Sequence, residues 1–153
     1  MTIFDYTPTL RPQFTNLLSA YFRELDSDIP EDILRGKLAD LIEDQHNKKI
    51  IRVSIAVHNG IPAGFSIFQI DTPESDWCKR LGWGFIREFY IIPEARHQGY
   101  GSRLAAHTEQ CLRKIGAQKL YLTSDPAAIA FWQRCGWRLT EEICSNDLSI
   151  LEK

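Results

Sequence analysis

The signature between Gly84 and Gly101 constrains this 153-residue chain more than any other feature. The run Gly84-Phe85-Ile86-Arg87-Glu88-Phe89-Tyr90-Ile91-Ile92 is apolar and aromatic-rich, and it stops at Pro93. A basic, glycine-bearing turn, Arg96-His97-Gln98-Gly99-Tyr100-Gly101, then opens a helical pattern. Glycines let a backbone turn tightly and let a ligand come close to the amides. A helix N-terminus adds unpaired N–H groups and roughly half a positive charge, the setting in which proteins hold phosphates. Arg96 can add a full charge. The dinucleotide fingerprint does not fit, because Gly99 and Gly101 lack the third glycine and the acidic residue beyond it; nor does a Walker loop, since no Gly-Lys-Ser or Gly-Lys-Thr occurs. What remains is Arg-x-x-Gly-x-Gly, which a purely structural glycine turn would also satisfy.

The rest of the chain supplies a frame for this unit. Thr2–Tyr6 reads as a short strand. Phe14, Leu17, Leu18, Tyr21, Phe22 and Leu25 then recur at helical spacing after Pro12. A second helix starts near Pro30, with Glu31 and Asp32 in its first turn and Leu34, Leu38, Leu41 and Ile42 as its face, and it ends before His46-Asn47. Ile51, Val53, Ile55 and Val57 alternate with polar or small residues, the pattern of a half-buried strand. Asn59-Gly60 marks a hairpin, since both central positions of a type I′ turn need positive φ. The return strand runs from Ala63 to Asp71, and a loop carrying Trp77 leads to the central strand Trp83–Ile92.

After the glycine turn, Leu104, Thr108, Cys111, Leu112 and Ile115 form a helical stripe that Gly116 closes. Lys119–Thr123 is a short strand. Asp125-Pro126 caps a helix from Ala127 to Cys135, and Trp137–Glu141 and Leu148–Leu151 are the last strands. A helix between the strands Trp83–Ile92 and Lys119–Thr123 implies a parallel, right-handed crossover. The expected fold is α/β: a single mixed, mostly antiparallel sheet with helices on both faces, formed by one domain over residues 1–153.

Composition excludes several function classes. A net charge of −2 argues against a general nucleic-acid binder. No apolar run approaches the roughly 20 residues that span a bilayer, and the N-terminus lacks a signal-peptide pattern. Cys78, Cys111, Cys135 and Cys144 show no Cys-x-x-Cys spacing, so free thiols in the cytoplasm are expected rather than a metal site.

The Arg96–Gly101 pattern with Pro93, the preceding Phe89-Tyr90-Ile91-Ile92 strand and the segment Ala130-Phe131-Trp132-Gln133-Arg134-Cys135-Gly136-Trp137 together resemble the GNAT superfamily of N-acetyltransferases. The resemblance covers roughly Ile51–Leu151 in element order, and its sharp motifs lie in Phe85–Gly101 and Ser124–Trp137. It implies a splayed parallel strand pair and acetyl-CoA as co-substrate. The pyrophosphate would lie on the amides of His97, Gln98, Gly99, Tyr100, Gly101 and Ser102, beside Arg96. The pantetheine arm would pair with the main chain of Phe89, Tyr90 and Ile91 as an added strand. The amide of Ile91 or its neighbour would face the thioester carbonyl as an oxyanion donor.

The resemblance also implies direct attack of an amine on the thioester, with Glu88 as the general base, acting itself or through a water. A salt-bridge role for Glu88 competes with that reading. The sequence departs from the family at Trp132, where many relatives carry a tyrosine that protonates the leaving thiolate. Indole cannot do so, although it can pack on the pantetheine arm. Tyr90, Tyr121, Ser124 and Cys135 are the substitutes, unless the thiolate leaves unassisted. In the family the first helices, their connector and the loop before the central strand set the acceptor. Here Asp26, Asp28, Glu31, Asp32, Glu74 and Asp76 suggest a cationic amine, on a small molecule or a peptide, although a solvated loop is the plainer reading of the acidic connector. The last strands mediate dimers in relatives, so a homodimer is an expectation. The alternative to an enzyme is a non-catalytic acyl-CoA-binding module.

Overall fold

Seven strands form one mixed sheet in the order β1-β2-β3-β4-β5-β7-β6. The structure is a computed structural model, and it describes residues 1–77 and 79–153. The strands are β1 (Thr2–Asp5), β2 (Arg52–His58), β3 (Ile61–Ile70), β4 (Gly84–Ile91), β5 (Leu120–Ser124), β6 (Arg138–Ile143) and β7 (Ser149–Glu152). The helices are α1 (Arg11–Glu24), α2 (Glu31–Ile33), α3 (Ala39–Asn47), α4 (Tyr100–Lys114) and α5 (Pro126–Arg134). Antiparallel ladders join β1 to β2, β5 to β7 and β7 to β6, whereas β4 and β5 are parallel. The β4–β5 register runs from Gly84↔Leu120 to Ile86↔Leu122, and β4 continues beyond it to Ile91. The expected mixed, mostly antiparallel sheet with one parallel pair is therefore observed.

Contacts group the chain into two compact units: Met1–Ile67 with Glu88–Leu104, and Phe68–Arg87 with Ala105–Lys153. In the first unit, Phe14, Leu17 and Leu18 of α1 and Ala39 and Ile42 of α3 pack on Val53, Ile55, Phe65, Ile67 and Tyr90. The opposite face of the same strands carries Ala56, Ala63 and Ile91, covered by Ala95 and Leu104. Two covered faces explain why β2 is not the half-buried strand that its alternation suggested: Ser54 and Ala56 are as buried as Val53 and Ile55. The hairpin turn has positive φ at both Asn59 (51°) and Gly60 (77°). In the second unit, Phe85, Tyr121, Cys144 and Ile150 form a cluster against Trp77 and Trp83.

The second predicted helix differs in detail. It comprises α2, a π-helical stretch over Leu34–Leu38, and α3, which runs on through His46 to Asn47. A π turn spaces residues five apart rather than four. The buried set is accordingly Leu34, Ala39 and Ile42, while Leu41 is exposed. The helix survives past Glu43 because the His46 ring serves two backbone groups: its Nε2 meets the Tyr6 carbonyl at 3.1 Å, and its Nδ1 accepts from Val53 N–H at 3.2 Å. Leu25 and Ile115 fall just beyond α1 and α4 and are exposed rather than part of their stripes. Cys78 lies outside the described residues; Cys111, Cys135 and Cys144 are free thiols. Among the described residues, no helix is long and apolar enough to cross a membrane.

Candidate active site

The second half of β4 presents Glu88 and Tyr90 toward α1, as strand alternation dictates. Glu88 is half-buried, and the Tyr21 hydroxyl of α1 donates to its Oε2. Tyr21 is held by rings: Phe22 at 5.2 Å and Phe65 at 5.6 Å, both edge-on, and Tyr90 at 5.4 Å. Tyr90 is 5% exposed and hydrogen-bonds Glu24. Burial, with the Glu24 charge second, pushes its phenol up to about 12, so it stays protonated through the neutral range. On the other face, Ile91 joins Ala56, Ala63, Ala95 and Leu104, with Phe89 partly buried beside them.

Gly64 of β3 sits directly against this part of β4. A Cβ there would overlap the Tyr90 carbonyl oxygen and approach the Ile91 Cδ1 to 2.6 Å. Only glycine lets the two backbones come this close. The sequence reading missed Gly64, although an isolated glycine inside a strand pattern is the usual sign of such an approach.

Beyond Ile92, a single 3-10 turn at Pro93–Ala95 leads into extended Arg96, left-handed His97 (φ 59°) and left-handed Gly99 (φ 80°). Helix α4 begins at Tyr100, and the Arg103 N–H donates to the Gly99 carbonyl at 3.2 Å. The amides of Gly99, Tyr100 and Gly101 stand in the first turn, where an α-helix offers them no carbonyl of its own. His97, Gln98, Gly99 and Ser102 are exposed, and Tyr100 and Gly101 are half-buried. Nothing lies within 4 Å of the position a Gly99 Cβ would take. Gln98 closes the turn from the side by donating to the Glu94 carbonyl at 2.9 Å. The Tyr100 ring covers the start of α4 and packs 4.9 Å from His58. An open, amide-lined turn of this kind fits a pyrophosphate.

Arg96 is tied into the protein frame on two sides. Its Nε donates to the Ile91 carbonyl at 2.9 Å, and one terminal nitrogen reaches both Glu24 oxygens, at 2.7 and 2.8 Å. Its guanidinium lies 5.8 Å from the Tyr90 ring centre. Tyr21 and Glu24 were read only as part of a core stripe and an acidic connector, because nothing in their spacing pairs them with β4.

The second unit holds the remaining candidates. Trp132 is 5% exposed and packs edge-on against Phe131 and Trp137. Trp137 is core, as expected, and its indole N–H donates to Glu109 at 2.8 Å. The Tyr121 hydroxyl donates to Asp71, and the Ser124 hydroxyl donates to the Asp125 carbonyl at 2.9 Å. Asp71, also missed from sequence, is a buried carboxylate that orders the loop before β4: Gln69 Nε2 donates to it at 2.9 Å and Lys79 N–H at 3.2 Å. Trp77 is half-buried, not exposed, with Lys79 Nζ 4.9 Å from its ring centre. Of the acidic residues singled out, Glu31 is tied to Ser19 and Arg35, whose hydrogen bonds hold its carboxyl below the usual range. Asp26, Asp28, Asp32, Glu74 and Asp76 are exposed. Among the described residues, no group of three or more His, Cys, Asp or Glu side chains is placed to hold a metal ion.

Comparison with known proteins places these features in context. A family model described as the acetyltransferase (GNAT) family matches residues 11–137. The fold is similar to that of a ribosomal-protein-alanine N-acetyltransferase from Brucella melitensis, with a TM-score of 0.76 at 16% identity over 100% of this chain and 99% of that one. It is also similar to the PaiA N-acetyltransferase of Thermoplasma acidophilum in complex with coenzyme A, at 0.72 and 16% over 100% and 99%. A third likeness is to AAC(6')-Iy in complex with the bisubstrate analog CoA-S-monomethyl-acetylneamine, at 0.75 and 20% over 94% of each chain. A search of curated proteins found no match.

Proposed function

Because the chain belongs to the GNAT acetyltransferase family, we propose that it acetylates a primary amine of a cationic acceptor by direct attack on acetyl-CoA. The observation that carries the reading is the strand–turn–helix unit of β4, the Arg96–Gly99 turn and α4, which pairs a half-buried carboxylate with an open, amide-lined turn. The amides of His97, Gln98, Gly99, Tyr100, Gly101 and Ser102 receive the pyrophosphate. The main chain of Phe89, Tyr90 and Ile91 receives the pantetheine arm, and Trp132 packs on it. The Ile91 amide faces the thioester carbonyl, where a donor acts on the charge that develops during attack.

Glu88 takes a proton from the ammonium form of the acceptor, directly or through a water, so that the nitrogen lone pair can attack the acetyl carbon. The carbon–sulfur bond then breaks. The attacking nitrogen gives up its second proton to solvent, and the departing thiolate takes one up from solvent, so the products are an amide and the thiol of coenzyme A. The hydroxyls of Tyr90, Tyr121 and Ser124 are each engaged with a protein acceptor. A thiolate is a good leaving group near neutral pH, with an ordinary thiol value of about 8.5. We therefore read its departure as unassisted by these hydroxyls. Exposed Asp26, Asp28, Asp32, Glu74 and Asp76 favour a cationic acceptor, as does the likeness to an enzyme crystallised with an acetylneamine analog. We further read residues 1–153 as one acetyltransferase domain that works in the cytoplasm and does not bind nucleic acid. Edge strand β6, with Leu139 and Ile143 exposed, supports a homodimer.

A thiol-release assay over cationic, neutral and anionic amines and peptides tests the proposal, together with calorimetric titration of CoA. Gly99→Asp puts a carboxylate where the phosphates belong and should abolish CoA binding. Gly99→Asn, which tolerates the same left-handed backbone, should retain much of it. Normal CoA binding by Gly99→Asp would show that the turn is not the site. Trp132 in place of the usual tyrosine favours a second reading, an acyl-CoA-binding module without turnover; CoA binding with no thiol release across the panel would select it.

A further inference from the structure

We infer that Tyr21 is a positioning residue for Glu88: its hydroxyl, aimed by the aromatic rings around it, holds that carboxylate ionised and in one orientation for the acceptor amine. The inference rests on the reading of Glu88 as the general base.

Glu88 projects from β4 toward α1, half-buried, where it has lost part of its hydration. A carboxylate in that position needs donors in place of water. Tyr21 supplies one across 67 residues of sequence. Its ring has little freedom to do otherwise. Phe22 and Phe65 meet it edge-on with interplanar angles of 65° and 85°, and Phe65 is in turn fixed by Phe14 at 5.6 Å. Tyr90 is the third ring against it, at 51°. Packing of this kind removes the rotamer search that a surface tyrosine would have to make, so the donor is pre-organised.

The phenols on this face divide between two carboxylates. Tyr21 of α1 bonds Glu88 and packs on Tyr90 of the same strand, and beyond Tyr90 come Glu24 of α1 and Arg96 of the following turn. Tyr90 gives its hydroxyl to Glu24, and Glu24 also pairs with Arg96. The two phenols on this face thus serve two different carboxylates, and the Arg96 guanidinium pairs with Glu24. An O–H bond to the charged form of a carboxylate favours that form. Tyr21 therefore keeps Glu88 competent as a base toward lower pH, and it sets the direction from which a proton can arrive.

The test follows the Glu88 carboxyl directly and needs no knowledge of the acceptor. In full-length protein labelled with 13C at glutamate carboxyls, the Glu88 signal is assigned by its loss in Glu88→Gln. It is then titrated in wild type, in Tyr21→Phe, and in protein with 3-fluorotyrosine at position 21. Phenylalanine keeps the ring packing and removes the donor, so the midpoint should rise by about one pH unit, the size expected for one charge-assisted hydrogen bond. Fluorotyrosine is the stronger donor, so the midpoint should fall. A merely structural tyrosine would change the melting temperature without moving the midpoint in opposite directions. Unmoved midpoints would overturn the inference while leaving Glu88 as the base. Wild-type amine acetylation by Glu88→Gln would instead overturn the base reading, and the inference with it.

Discussion

Replacing Gly64 by alanine should damage the candidate site through backbone geometry alone. The added Cβ overlaps the Tyr90 carbonyl oxygen and stands 2.6 Å from Ile91 Cδ1 and 3.2 Å from Ile91 Cα. The Ile91 side chain can rotate away from this methyl. The Tyr90 oxygen and the Ile91 Cα cannot, because they are main chain. Non-bonded heavy atoms settle near 3.5 Å, so relief requires β3 and β4 to part by on the order of 1 Å here. Forcing one extra methyl into a packed interior costs about 1–3 kcal/mol. For a chain of this size that lowers the melting temperature by about 2–10 °C.

The functional loss should be larger in proportion. The displaced atoms are the main chain of Tyr90 and Ile91, the segment assigned to the pantetheine arm and thioester. A misplacement of about 1 Å can cost about 100-fold in rate. Gly36→Ala is the matched control, since nothing lies within 4 Å of its Cβ position and its φ is not positive. Thermal melts by circular dichroism, CoA affinity by calorimetry and thiol release with the best amine of the panel would be compared across the two variants. Gly36→Ala should match wild type or exceed its stability slightly. If Gly64→Ala also melts, binds and turns over like wild type, the close approach of β3 to β4 is not a requirement of the site.

Two further predictions concern the frame. The His46 imidazole is held below its ordinary 6.5, first by burial, which disfavours the cation. In the unfolded chain this group takes up its proton near 6.5, at a higher pH than in the fold, so below that pH the unfolded state binds more protons. The contribution of His46 to stability is thus complete above about pH 6.5 and is lost as pH falls through the lower folded value. Urea unfolding from pH 8 to pH 5 should show this loss, and His46→Gln should flatten it; an unchanged slope would remove His46 as its source. Asp125→Ala removes the side chain that accepts from Ala128 N–H at 3.0 Å at the start of α5, and it should cost about 0.5–2 kcal/mol in the same assay.

Much of the frame was legible because local chemistry spoke for it. Asn59-Gly60 forced the hairpin, Asp125-Pro126 started α5, and Pro93 ended β4 with one turn to spare. The π stretch at Leu34–Leu38 was not legible, since a helical stripe read at period 3.6 assumes that no residue is inserted. Nor was the burial of Ser54 and Ala56, because alternation reveals a wet face only where no second layer covers it. The turn's glycines could be read directly. Tyr21, Glu24 and Asp71 could not, because each acts on a residue far away in the chain: Glu88, Arg96 and Tyr121.

Arg96 shows how a motif residue can also serve the frame around a turn. Its pair with Glu24 is more than a third exposed on both sides, and such pairs contribute about 0–1 kcal/mol. Stability is therefore a poor reason for an arginine at this position. Geometry is a better one. The guanidinium donates at once to the last carbonyl of β4 and to a carboxylate of α1, while its face lies over the Tyr90 ring. Only a planar fork can make both bonds in fixed directions; lysine, a point charge on a flexible stem, cannot. The bond to the Ile91 carbonyl sets how the chain leaves β4 for the turn, and hence where the amides of Gly99 to Ser102 point. On the proposed reading, the turn meets a phosphate mainly through those N–H groups, which do not titrate and whose aim Arg96 and Glu24 jointly maintain.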